Sequence, residues 1–133
     1  MIGIDTNVLV RYLVQDDEWQ AAATVKIFSE ISDSNPAFIC NIVMCELVWV
    51  LSRAYKYEKN LIISVLEQLL ITADIEFENA ELLRKALRRY SKGKGDFSDY
   101  LIAETNRENG AAVTCTFDRK AGTDELFSLM SPK

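Results

Sequence analysis

The chain has 133 residues, 49% of them hydrophobic, and a formal net charge of −5. That length suits one domain over residues 1–133, and that apolar content excludes a disordered chain. The sequence holds no histidine, which excludes Ser-His-Asp triads, Cys-His pairs, histidine general bases and the common zinc sites.

The opening, MIGIDTNVLV, lacks the basic and small-residue features of a signal peptide, and no apolar run reaches the roughly 20 residues of a membrane helix. A cytoplasmic protein, with no membrane contact, is the expectation. Residues 1–5 read as a short buried strand ending in Asp5. Thr6 and Asn7 are placed to cap a helix over VLVRYL. A second helix is expected from about 17 to 32, with Ala21, Val25, Phe28 and Ile31 near helical spacing. Asn35-Pro36 breaks it, and residues 37–40, AFIC, form a strand. Helices follow over about 42–56 and 59–73, then a strand over DIEFE at 74–78. Asn79 is placed to cap a basic helix that Gly93 and Gly95 end. Asp96 caps the next helix, which Gly110 stops. AAVTCT at 111–116 forms a strand that leads into the loop FDRKAG, and LFSLM can form a short last strand.

Short apolar strands alternating with helices point to an α/β sandwich around a mainly parallel sheet, whose ligands bind beyond the carboxyl ends of the strands. Asp5 and Asp118 follow two such strands. Each has an ordinary alternative, Asp5 as a helix cap and Asp118 as a loop acid. Asp96 and Asp99 together can be a capped first helical turn. Glu46 is harder to set aside, because every residue from Ile42 to Leu51 around it is apolar. Burial there would demand an arginine, a hydrogen-bond network or a metal as partner. The three cysteines, Cys40, Cys45 and Cys115, lie in apolar segments without a C-x-x-C pair and read as buried, reduced thiols.

Taken together, these acids suggest one chemistry. Two carboxylates ~5 Å apart repel by roughly 3 kcal/mol at an effective dielectric of 20, so several in one cleft call for a cation. An all-oxygen set suits magnesium or manganese, and such sites serve phosphoryl chemistry. The basic run RKALRRYSKGKG at 84–95 holds six cations and no acid. It is either a solvated face or a surface for a polyanion, with Arg84, Arg88, Arg89, Lys92 and Lys94 as candidate RNA contacts.

The segments IDTNVLVRYLVQDD at 4–17, NIVMCELVWVL at 41–51, GDFSDYLIAE at 95–104 and TCTFDRKAG at 114–122 resemble, in order and spacing, the four motifs of PIN-domain nucleases. The resemblance is nearest to the VapC-like toxins of toxin–antitoxin modules. It implies a three-layer α/β/α sandwich, and a metal-dependent endoribonuclease using Mg2+ or Mn2+. Asp5, Glu46, Asp99 and Asp118 match the family's acids. Asp96 is a further candidate ligand, and Thr6, Asn7 and Thr116 would orient ligands or water. An RNA substrate, an antitoxin partner and a homodimer are also implied. The alternative is a non-catalytic RNA- or protein-binding module of the same family. A phosphatase of the haloacid-dehalogenase type is disfavoured, because it wants D-x-D where this chain has Asp5-Thr6-Asn7.

Overall fold

The computed structural model describes residues 1–132. The chain divides into two compact units, Met1–Ala80 and Glu81–Lys133. The first is built as two strand–helix–helix–strand crossovers. It runs β1 (Ile2–Gly3), α1 (Thr6–Val14), α2 (Glu18–Glu30), β2 (Ala37–Ile39), α3 (Asn41–Arg53), α4 (Lys59–Leu70) and β3 (Ile75–Phe77). All three strands are parallel with β2 in the middle, Ala37 facing Ile2 on one side and Ile75 on the other. Their carboxyl ends therefore share one edge. Asp5 stands beyond β1, α3 begins just beyond β2, and Glu78, just beyond β3, accepts the Asn41 N–H at 3.0 Å.

Helical periodicity explains most of the core. Leu9 of α1, Met44, Leu47 and Leu51 of α3, and Ile62 and Leu66 of α4 are fully buried. The ring of Tyr12 stacks on Phe28 at 4.0 Å between α1 and α2. In α2 the expected stripe is displaced. Val25 faces solvent and Thr24 is the buried side chain, its hydroxyl satisfied by the Ala21 carbonyl at 2.8 Å. A Thr that returns its own hydrogen bond to the preceding turn can be buried where a polar letter suggests exposure.

The second unit runs α5 (Ala80–Lys92, which begins at the boundary), α6 (Phe97–Glu108), β4 (Thr114–Thr116), a single 3-10 turn (Ala121–Thr123) and β5 (Phe127–Leu129). The strands β4 and β5 are parallel, Thr114 facing Phe127. The one sheet read from the sequence is thus a three-stranded ladder and a two-stranded ladder, every pair parallel. Among the described residues, no helix is long and apolar enough to cross a membrane.

Between α5 and α6 the chain turns tightly at Gly93 and Gly95. The buried Tyr100 hydroxyl fills the turn and accepts the Gly95 N–H at 2.8 Å. A Cβ on Gly93 would run into that hydroxyl and its ring. Gly93→Ala should therefore destabilise the protein by about 2 kcal/mol through overpacking, read as a lowered thermal midpoint. An unchanged midpoint would mean that Tyr100 can move aside at no cost.

Candidate active site

In the first unit the polar groups gather at the carboxyl edge of the strands. Asp5 is the N-cap of α1, the ordinary role the sequence offered for it, and Thr6 and Asn7, also placed as caps, are the first residues of the helix. The Asp5 Oδ1 accepts the Val8 N–H at 3.0 Å from an extended backbone conformation. Asp is among the strongest capping residues, and the helix dipole favours its charge. With the cap taken by Asp5, the hydroxyl of Thr6 is used elsewhere: it donates to Glu46 Oε1 at 2.6 Å. Asp5, Thr6, Asn7 and Glu46, with Trp49 and Val50, line one open cavity of about 470 Å3.

Glu46 is exposed, which corrects the reading of it as a buried acid in need of a partner. The reason is the neighbouring surface. Ile42 and Trp49, one helical turn below and above it, are themselves 70% and 63% exposed, so α3 presents an apolar face with one acid in it. Burial did not force the acid into company, yet Thr6 and Asp5 share its cavity. Beside it, burial and the Glu46 charge push the Cys45 thiol up to about 11, so it stays protonated at neutral pH. All three cysteines are free. Cys40 and Cys45 are half-buried and Cys115 is exposed, which corrects the reading of all three as buried thiols.

In the second unit Asp96 is the N-cap of α6, and Asp99 accepts the Asp96 N–H at 3.0 Å. Burial, and then the charges of Asp96 and Asp118, hold the Asp99 carboxyl above its ordinary value, against the pull of that hydrogen bond. Asp118 is fixed by the backbone around it. Its Oδ1 accepts the N–H groups of Lys120 and Ala121 at 2.8 and 2.9 Å, and its own N–H donates to the Thr116 hydroxyl at 3.0 Å. Phe117, beside it, is 82% exposed.

The acids thus stand as a pair in one unit and a trio in the other. Among the described residues, no three carboxylate or thiol side chains stand close enough together to hold a metal ion. The donors nonetheless suit one in kind. They are oxygen donors only, Asp99 and Asp118 are already oriented by backbone N–H groups, and the ionised Asp99 carboxyl is disfavoured first by burial and then by like charges, which a cation would offset.

The PIN domain family model matches residues 2–122 of this chain. The chain belongs to the PIN-domain family. It is also 30% identical over 118 residues to a VapC ribonuclease from Aquifex aeolicus (strain VF5), covering 88% of this chain and 87% of that one. This makes it a VapC-like PIN domain, and its six helices and parallel strands are the PIN-like α/β fold read from the sequence.

The basic helix of this PIN domain divides its cations between two tasks. Arg84, Lys85, Arg88 and Lys92 of α5, and Lys94 after it, are exposed. Arg89 is not. Its guanidinium meets Asp124 at 3.1 Å, and Glu104 and Glu125 at 3.6 Å. Its assignment as an RNA contact is therefore corrected: the group is occupied within the protein. The sequence reading also passed over Trp49 in the acid cavity, and Lys85 and Arg107, which line a groove with Arg88 and Lys92. Lys85 stood inside the basic run and was legible there. Nothing local to Arg107, an ordinary last-turn helix cation, marked it.

Proposed function

We propose that this VapC-like PIN domain is a metal-dependent endoribonuclease and the toxin of a toxin–antitoxin pair. The observation that carries the reading is the cavity of the first unit. Asp5 and Glu46, forty-one residues apart, line it together, with Thr6 bonded to Glu46. Its support is the similarity to a protein named a VapC ribonuclease.

Asp5, Glu46, Asp99 and Asp118 would hold Mg2+ or Mn2+, with Asp96 as a further ligand or as the cap of α6. Such an ion, when bound, supplies charge to offset that growing on the scissile phosphodiester and makes an attacking water more acidic. The chain's own residues orient the donors. Thr6 fixes the rotamer of Glu46, Thr116 and two backbone N–H groups fix Asp118, and Asn7 presents an amide to the same cavity. Arg84, Arg88, Lys92 and Lys94 hold the RNA.

The exposed apolar side chains Ile42, Trp49, Leu61 and Ile71 support a homodimer and an antitoxin as partners. Three free thiols are at home in a reducing cytoplasm.

The test is cleavage of single-stranded RNA by the purified chain in magnesium, manganese or EDTA. Cleavage should require the metal and be lost in Asp5→Asn, which keeps an oxygen to cap α1. Cleavage that survives EDTA or Asp5→Asn would refute the metal-bound site. A folded protein that binds RNA, and shows neither cleavage nor a rise in melting temperature with manganese, would be a binding module.

A further inference from the structure

We propose that the second unit carries a groove for the phosphate backbone of single-stranded RNA, walled by Lys85, Arg88, Lys92, Lys94 and Arg107 and floored by Arg89. The inference rests on the ribonuclease reading and deepens it, giving the substrate a binding surface that none of the candidate catalytic acids lines.

The groove is an open cavity of about 830 Å3. Lys85, Arg88 and Lys92 are spaced three and four residues apart, so they stand on one face of α5, spread over about 10 Å of its axis. Leu82, Leu83, Ala86, Leu87 and Tyr90 are buried, which leaves these cations the solvent side. Lys94 and Arg107 complete the wall. None of the candidate catalytic acids lines this cavity.

Acids do line it, and what they contact decides its character. Glu104, Asp124 and Glu125 all face the Arg89 guanidinium, at 3.6, 3.1 and 3.6 Å. Asp124 also accepts the Leu126 N–H at 2.8 Å. Arg107 reaches Glu104 only at 3.9 Å and keeps 60% of its side chain exposed. Glu108 is the fourth carboxylate. Six cations against four carboxylates leave the groove net positive in a chain whose net charge is −5. Because three of the acids converge on one arginine, the outward cations are left facing solvent.

The lining also selects the kind of polyanion. Leu82 is its one large apolar residue. A protein partner draws most of its binding energy from buried aromatic or aliphatic anchors, which this groove does not offer. A row of long, mobile cations suits repeated phosphates, read without regard to base.

The experiment measures binding of a short fluorescent single-stranded RNA to the full chain in EDTA, as a function of salt, for the wild type and K85Q/R88Q/K92Q. A second triple variant, K26Q/R53Q/K56Q, removes three exposed cations from the first unit and controls for net charge. Each phosphate contact contributes about 0.7 to the logarithmic salt slope for single strands, so the groove variant should lose about 2. A fourfold rise in salt should then cost the wild type roughly sixteenfold more affinity than the groove variant. An unchanged slope in the groove variant overturns the proposal, as does an equal loss in the control. Polyglutamate that displaces the labelled RNA better than unlabelled RNA does, at equal charge, would assign the groove to an acidic peptide instead. Because EDTA removes the metal, the two readings separate. Cleavage without a groove effect leaves the nuclease and removes the groove, and a groove effect without cleavage does the reverse.

Discussion

Asp99→Asn should abolish RNA cleavage and, in the same protein freed of metal, raise the melting temperature at neutral pH. The first effect follows from the proposed metal site, which would lose a charged ligand. About 4 kcal/mol of charge stabilisation corresponds to roughly a thousandfold in rate. The second follows from the surroundings of Asp99, where burial and the charges of Asp96 and Asp118 lift the carboxyl above its ordinary value of 3.8. A carboxyl whose folded value lies above its unfolded one holds its proton more tightly in the folded state. It favours folding most below the unfolded value, and that contribution is lost as pH rises through the folded value. At neutral pH the ionised Asp99 therefore opposes folding. Asparagine removes the charge and keeps an oxygen for the Asp96 N–H. Thermal melts in EDTA between about pH 4 and pH 8 would show the variant's advantage growing from acid to neutral conditions. Added manganese should raise the midpoint of the wild type and leave the variant largely unmoved. A variant less stable than the wild type in EDTA at neutral pH would show that the Asp99 charge supports the fold.

The largest loss of stability is expected at Arg89. Glu104 is 6% exposed, and Arg89 is its nearer cation, the other being the largely exposed Arg107. Arg89→Met keeps the long stem and removes the charge. It leaves a buried carboxylate without its main partner, at a cost of about 3 kcal/mol. For a chain of this size that lowers the melting temperature by roughly 10 °C. Arg88→Met, one residue away on the exposed side, should change stability by less than about 0.5 kcal/mol. Adding Glu104→Gln to Arg89→Met should recover part of the loss, and the double-mutant cycle reads that coupling directly. Equal melting points for the Arg88 and Arg89 variants would show that the three-acid cluster contributes nothing to folding.

Both residues bear on how far the sequence could be read. Strand ends and helix stops were legible because they depend on local chemistry: Asp5 and Asp96 at helix starts, Gly110 in a left-handed conformation after α6. The order of the acids along the chain was legible for the same reason. Which face of a helix turns outward was not, where the letters do not alternate. In α3, residues 42, 46, 49 and 53 form one stripe at helical spacing, and only Glu46 and Arg53 in it are polar. An apolar run conceals such a face until the other stripe, with Met44, Leu47 and Leu51, is seen packed. In α5 the concealment is the reverse. Arg89 lies three and seven residues after Ala86 and Leu82, on the flank of the buried face, and a run of basic letters hides one that points inward. The acids that receive it, Glu104 and Asp124, are distant in sequence, so no local pattern could show the pairing. The break of the sheet into two ladders was likewise out of reach, since strand pairing is a long-range property.

The starts of α1 and α6 and the turn after β4 also say something about how this chain can change over generations. Asp5, Asp99 and Asp118 each serve the backbone with an oxygen that asparagine also possesses. An aspartate-to-asparagine exchange at any of them removes the charge and spares the hydrogen bond, so under the proposed metal site it would disarm the chain without unfolding it. A lineage under pressure to silence the enzyme, yet to keep a folded partner for whatever binds it, has three one-residue routes open. Survivors of such selection should carry asparagine at these positions far more often than alanine or valine, which would forfeit about 1 kcal/mol of capping at Asp5 as well. At these positions the charge and the backbone hydrogen bond are separate inheritances.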